Sequence, residues 1–259
     1  MKIYIHLALL SLPLLMHVSA FQSAVVPSSI VPAIEPHPAL TAEQIVSKLV
    51  QSNLSRAQRL AAYRGTRTYH LEYQGFPGPR SAEMVVDVRY ESPGTKDFAI
   101  RSETGSKLLI ERVFKKLLQS EKEALTEENA TRVALNRDNY KFAQVGYEST
   151  SAGALYVLSV EPRTNSKFLY RGRIWVDAQD FAVVRLQGKP ARNPSFWTKD
   201  TQIEQTYAKV SEFWFPVSNR STTSSRLGGH AYLTIDYKDY RTTAVPLLND
   251  FNITVAGCQ

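Results

Sequence analysis

Chemistry in a chain of 259 residues is sought first among its histidines, cysteines, serines and carboxylates. Beyond the first twenty residues the histidines are His37, His70 and His230. None stands in an HxxxH or HExxH spacing, and Cys258 is the single cysteine, so no zinc site and no internal disulfide is expected. His70 shares the polar side of an alternating segment with Glu72, which places it toward solvent. A nucleophile elbow, G-x-S-x-G, is missing; Ser106 follows Gly105 but opens a helix, where a capping role suffices. No G-x-G-x-x-G or Walker loop occurs, and "LGGH" at 227–230 reads as a hairpin turn. Asp177 and Asp180 flank "AQ" and could touch calcium, but carboxylates at such turns satisfy local backbone donors. Asn53, Asn129, Asn219 and Asn252 sit in N-x-Ser/Thr sequons, which matter only in a host that glycosylates. The expectation is a protein that is not an enzyme, with no cofactor and no metal.

Thirty-one Lys and Arg against 24 Asp and Glu give a net charge of +7, or +6 once Lys2 is lost with a leader. That surplus suits acidic partners such as phospholipid headgroups, and equally suits plain solubility. Aromatic and basic residues are scattered over many strands, so nucleic acid is not an expected partner. The opening "MKIYIHLALLSLPLLMHVSA" combines Lys2, an apolar run from Leu7 to Leu15, and small residues at Ser19 and Ala20. It reads as a signal peptide over residues 1–20. The run falls short of the roughly 20 apolar residues of a membrane span. No second such run follows, so a periplasmic or secreted protein without a transmembrane segment is expected. Prolines at 27, 32, 36 and 38 make residues 21–40 an extended tether, leaving 41–259 as a single domain.

"TAEQ" at 41–44 has the capping-box pattern, and Ile45, Leu49, Val50, Leu54, Ala57, Leu60 and Ala61 give the following helix an apolar face. From Tyr63 the period becomes two: three strands joined by "FPGPR" and "SPGTKD" form an antiparallel meander. Ser106–Leu125 is amphipathic, with Leu109, Val113, Phe114 and Leu117 on one face, and Thr126–Leu135 suggests a further short helix. About seven strands follow. The fold expected is α+β and mostly β: a strongly curved antiparallel half-barrel sheet closed by a lid of one to three helices.

Within that run, "YRGRIWVDAQDFAVVRLQG" reads as a hairpin turning at "DAQD", with Ala182, Val184 and Leu186 continuing its inner face. A Pro-rich excursion then ends in Phe196 and Trp197. The hairpin "GRIWVDAQDFAVVRLQG", the later "FWFPVSNRSTT" and the final "YLTIDYKDY" resemble the outer-membrane lipoprotein-sorting, or LolA-like, superfamily, and within it a subgroup of uncharacterised secreted bacterial proteins. The resemblance spans roughly Thr41 to Tyr240. It implies a half-open barrel whose hollow holds a lipid or the acyl chains of a lipoprotein; other members of that fold are sensors that bind an envelope protein. The family's carrier keeps its lid closed with an arginine on an early strand. Arg67 lies on a comparable strand, but no motif aligns it, and the role is not transferred.

The hollow would be lined by Tyr69, Leu71, Tyr73, Met84, Val86, Val88, Tyr156, Leu158, Ile174, Val176, Leu233 and Ile235, with Leu109, Val113 and Leu117 facing it from the lid. Such a face holds an apolar ligand or fills with its own side chains. The rival to a carrier is therefore a packed interaction module that uses rim aromatics Trp175, Phe196 and Trp197.

Overall fold

Thr41 opens the first element through a reciprocal cap: its hydroxyl accepts from the Gln44 backbone N–H (3.3 Å), and Gln44 Oε1 accepts from the Thr41 N–H (2.9 Å). The computed structural model describes residues 40–166, 168–192, 198–226 and 228–245. The leader, all but the last residue of the tether, Phe196, Trp197 and Cys258 lie outside these. Helix α1 (Ala42–Arg59) buries only Ile45, Val46 and Leu49. Val50, Leu54 and Ala57 are exposed, and Leu60 already belongs to a strand. The apolar face is thus shorter than its spacing suggested, because only the N-terminal half of α1 lies on the sheet. Its far end is fastened by polar contacts instead: the Arg56 guanidinium donates to the carbonyls of Asp180 (2.9 Å) and Phe181 (3.2 Å).

Strands β1 (Leu60–Gly75), β2 (Arg80–Glu91) and β3 (Thr95–Gly105) form the meander. The helical segment follows as α2 (Lys107–Leu109), a π-helical turn (Ile110–Phe114), α3 (Lys115–Ala124) and α4 (Glu127–Val133). The single five-turn helix expected here therefore carries one widened turn. Seven further strands follow among the described residues: β4 (Tyr140–Thr150), β5 (Gly153–Pro162), β6 (Tyr170–Asp177), β7 (Val183–Pro190), β8 (Thr198–Val210), β9 (Phe213–Ser225) and β10 (Gly229–Ala244). All ten form one antiparallel sheet in the order β3-β2-β1-β10-β9-β8-β7-β6-β5-β4. The last strand returns to pair with the first, so the sheet edges are β3 and β4. Those two strands are joined in sequence by the helices, which must run from one edge to the other across the concave face. The half-barrel with a helical lid follows from this connection.

The β6–β7 hairpin forms as expected. Asp177 Oδ1 accepts from the backbone N–H groups of Gln179 (2.9 Å) and Asp180 (2.7 Å), so this carboxylate is satisfied within its turn. One detail differs. A register shift pairs Trp175 with Arg185 but Val176 with Val183, leaving Val184 as an extra residue. Val183 and Leu186 consequently face the core, while Ala182 and Val184 pack against Trp214 and Tyr207 in a separate cluster. Alternation read along the strand cannot see such a bulge.

Gly172 faces Gly188 across this hairpin, and a Cβ on Gly172 (φ +155°) would fall against the Gln187 carbonyl and Gly188 Cα. At Gly146 a Cβ would meet Val157 at 3.5 Å, an ordinary contact. Gly172→Ala should therefore destabilise by about 2–3 kcal/mol and Gly146→Ala by less than about 1 kcal/mol, read from urea midpoints. Equal midpoints for the two variants would show that the hairpin tolerates separation.

Candidate functional site

The concave face is covered in two halves. Tyr69, Leu71, Met84, Val86, Val88, Leu233 and Ile235 pack with Leu109, Val113, Phe114 and Leu117 of the lid. Tyr156, Leu158, Ile174 and Val176 pack instead with Ile45, Val46 and Leu49 of α1. The residues that alternation assigned to one hollow thus lie in two compartments, each filled by its own side chains, with Ile203 touching both. Tyr73 sits at the margin, half-buried, and its hydroxyl donates to the Phe76 carbonyl (3.0 Å).

A polar stripe runs along β8 and β9. Thr201, Gln205, Asn219, Ser221 and Thr223 are all buried. The Asn219 amide donates to Gln205 Oε1 (3.1 Å), and the Thr201 and Thr223 hydroxyls share a hydrogen bond (3.1 Å). Gln205 Nε2 and Asn219 Oδ1 have no partner among the described residues. Sequence reasoning passed over this stripe, although its signal was present: Asn219, Ser221 and Thr223 keep the parity of inward-facing Phe213 and Phe215.

The lid is fastened to the sheet by charge. Glu121 of α3 accepts from Arg67 of β1 through both carboxylate oxygens (2.6 and 3.0 Å) and from Lys96 Nζ of β3 (2.5 Å). The side chains of all three are at most 3% exposed. Arg67 also donates to the Tyr69 hydroxyl (3.3 Å) and lies between the rings of Phe98 and Tyr237, 5.6 and 5.1 Å from their centroids. Lys96 lies 5.3 Å over the Tyr63 ring. Burial by itself would raise the Glu121 carboxyl, but Arg67 and Lys96 overcome it and pull the group down to about 2. Burial lifts the Tyr69 phenol to about 12 against the pull of Arg67. The position of Arg67 on an early strand is legible in the sequence. Glu121 falls four residues after Leu117, on the buried side of the helix, which marks it as a charge destined for the interior.

Trp175 corrects another expectation. It faces outward, but Arg185 stacks 4.8 Å over its ring, its indole N–H donates to Glu148 (2.9 Å), and 6% of it is exposed. Neighbouring strands cover what alternation alone leaves bare. Phe196 and Trp197, the other proposed rim residues, lie outside the described residues. Phe76, at the β1–β2 turn, is 83% exposed.

No protein-family model matches the chain. A search of curated proteins finds no match either. Among solved structures, the chain is similar to a DUF1329 family protein from Desulfovibrio piger at 12% identity and a TM-score of 0.42, over 82% of this chain and 96% of that one. A domain described as an outer membrane lipoprotein-sorting protein, from Vibrio parahaemolyticus, aligns at 13% identity and a TM-score of 0.37, over 79% of this chain and 95% of its own. A LolA superfamily protein from Nitrosomonas europaea aligns at 13% identity and a TM-score of 0.32, over 80% and 96% of the two chains. Each is a distant likeness of fold. Among the described residues no helix is long and apolar enough to cross a membrane.

Because Glu121 lies below its ordinary value of 4.5, the stability it contributes is complete above that pH and is lost as pH falls toward about 2. Glu121→Gln leaves Arg67 buried without its counter-charge, and should cost about 3–5 kcal/mol at neutral pH. It should also flatten the acid limb of stability against pH, measured by urea unfolding. An unchanged acid limb would assign that limb to other carboxylates.

Proposed function

We propose that this protein is a periplasmic, non-enzymatic binding or carrier protein that holds a lipid, or the acyl chains of a lipoprotein, between its sheet and its helices. One observation carries the reading: the apolar concave face is covered by a helical segment that a single buried charge cluster, Arg67–Glu121–Lys96, ties down at its centre. The opposite side is backed by a sheet whose ten strands are joined in one hydrogen-bonded order. A ligand therefore enters where the helices lie.

Shifting the lid exposes Arg67, Lys96 and Glu121 to water, and their hydration offsets much of the lost ion pairing. The apolar surface that opens is then covered again by the ligand, with each buried methylene contributing about 0.8 kcal/mol. Tyr69, Leu71, Tyr73, Met84, Val86, Val88, Leu233 and Ile235 would line the chain on the sheet side, and Leu109, Val113 and Leu117 would close over it. Tyr156, Leu158, Ile174 and Val176, under α1, give a second compartment for a longer or second chain. The polar stripe around Gln205 and Asn219 accommodates the polar linkage between acyl chain and headgroup. A second reading, a sensor or protein-interaction module of the same fold, is favoured by the packing of both compartments with their own side chains.

Mass spectrometry of organic extracts of the protein from its native host decides between them. Reproducible co-purified acyl species, absent from a control protein, are expected; a clean extract from folded protein would favour the interaction module. Glu121→Gln, by loosening the lid, should speed uptake of a fluorescent fatty acid several-fold. An uptake rate equal to that of the unaltered protein would remove lid opening from the mechanism.

A further inference from the structure

On the face of the sheet turned away from the helices, three arginines stand in a row. Arg241 of β10 is paired with Arg64 of β1, and Arg64 with Arg89 of β2. All three are exposed. Residues so paired have Cα atoms only about 4.5–5.5 Å apart, a placement at which like charges repel.

The row exists because of a bulge. Lys238 pairs with Thr66 and Arg241 with Arg64, so Asp239 and Tyr240 together oppose Gly65 alone. Asp239 adopts φ +57° within it. Tyr237 and Tyr240 both turn inward as a result, Tyr240 stacking on Phe215 with centroids 4.2 Å apart. With strict alternation from Tyr237, Tyr240 would point out and Arg241 into the core. The irregularity turns Arg241 outward beside Arg64, as bulges near binding sites do.

The three arginines line a concavity of about 660 Å³ with Thr66, Asp87, Asp97 and Asp239 among its other walls. Its size suits a small ligand or headgroup. Two of its carboxylates already have partners: Asp87 accepts from Thr66 (3.2 Å) and from Arg101 (2.5 Å), a fourth arginine of the same walls, and Asp97, opposite Arg89 in the ladder, lies 3.5 Å from Lys122. Arg89 has only a 3.7 Å approach to Glu91, and Arg64 and Arg241 have no ion-pair partner among the described residues. Three guanidinium groups thus face one uncommitted carboxylate, Asp239. The contrast within the same sheet is Arg171 opposite Lys189, where each cation has its own acid, Glu161 at 3.3 Å and Asp200 at 3.1 Å.

We propose that this concavity binds a phosphoryl oxyanion, whose several oxygens are matched to forked N–H donors from adjacent strands. The group could be carried by a phospholipid headgroup or by a soluble phosphate.

The test uses the full chain at low salt with two probes: inorganic phosphate by calorimetry, and flotation with phosphatidylcholine vesicles with or without phosphatidylglycerol. The unaltered protein should bind phosphate, the phosphatidylglycerol vesicles, or both; phosphate alone assigns a soluble ligand and vesicles alone a headgroup. R64S/R241S should bind at least roughly tenfold more weakly, while R171S/K189S, which removes the same charge elsewhere on the sheet, should bind as the unaltered protein does. Relief of repulsion should leave the urea midpoint of R64S/R241S unchanged or raised, which separates a lost site from a lost fold. Binding of neither probe, or equal weakening in both double variants, would overturn the site.

Discussion

The contact on which the closed form depends is the carboxylate of Glu121 between Arg67 and Lys96. It joins the middle of the lid to two strands of the sheet in surroundings that admit almost no water. Such a cluster adds little net stability over an apolar substitute, because removing three charges from water offsets their attraction. What it does supply is orientation. Apolar packing of α3 on the sheet tolerates sliding, whereas a bidentate arginine bond sets one register between helix and strand. The rings of Phe98, Tyr237 and Tyr63 complete the surroundings of the two cations and keep the site dry.

Topology explains why the fastening lies there. The chain leaves the sheet at one edge strand and rejoins it at the other, so the segment between Gly105 and Tyr140 has to span the concave side. A bridging segment anchored at both ends needs a hold at its centre, and Arg67, on a strand inside the sheet, supplies it. The covering by α1 is different in kind: it is apolar at its start and ends in Arg56 bound to backbone carbonyls of the β6–β7 turn. The two halves of the concave face are consequently free to behave differently, one under a bridge and one under a fixed helix. The polar stripe of β8 and β9, with two unpartnered amide atoms, adds a hydrogen-bonding edge to an otherwise apolar surface.

Much of this was legible in the residues themselves. The capping box at Thr41, the period-two strands, the Asp177 turn and the inward set from Tyr69 to Ile235 follow from short-range rules, because backbone propensity and alternation act over a few residues. Errors arose where one residue broke the count. The extra Val184 took Ala182 and Val184 out of the main core and into a separate cluster with Trp214 and Tyr207. Trp175 was placed on the correct side but not under Arg185 and Glu148, because cover by neighbouring strands is invisible along a single strand.

The sequence alone determined the fold class, the helical segment that had to be a lid, and the list of side chains available to a hollow, since each rests on local periodicity. Tertiary structure decided what those parts do together. It divided the expected hollow into two filled compartments, matched Glu121 to Arg67 across 54 residues of chain, and lined up Arg241, Arg64 and Arg89 from three strands. The physical reason is that pairing register and charge proximity are properties of residues distant in sequence. They exist only once the sheet has closed upon its first strand.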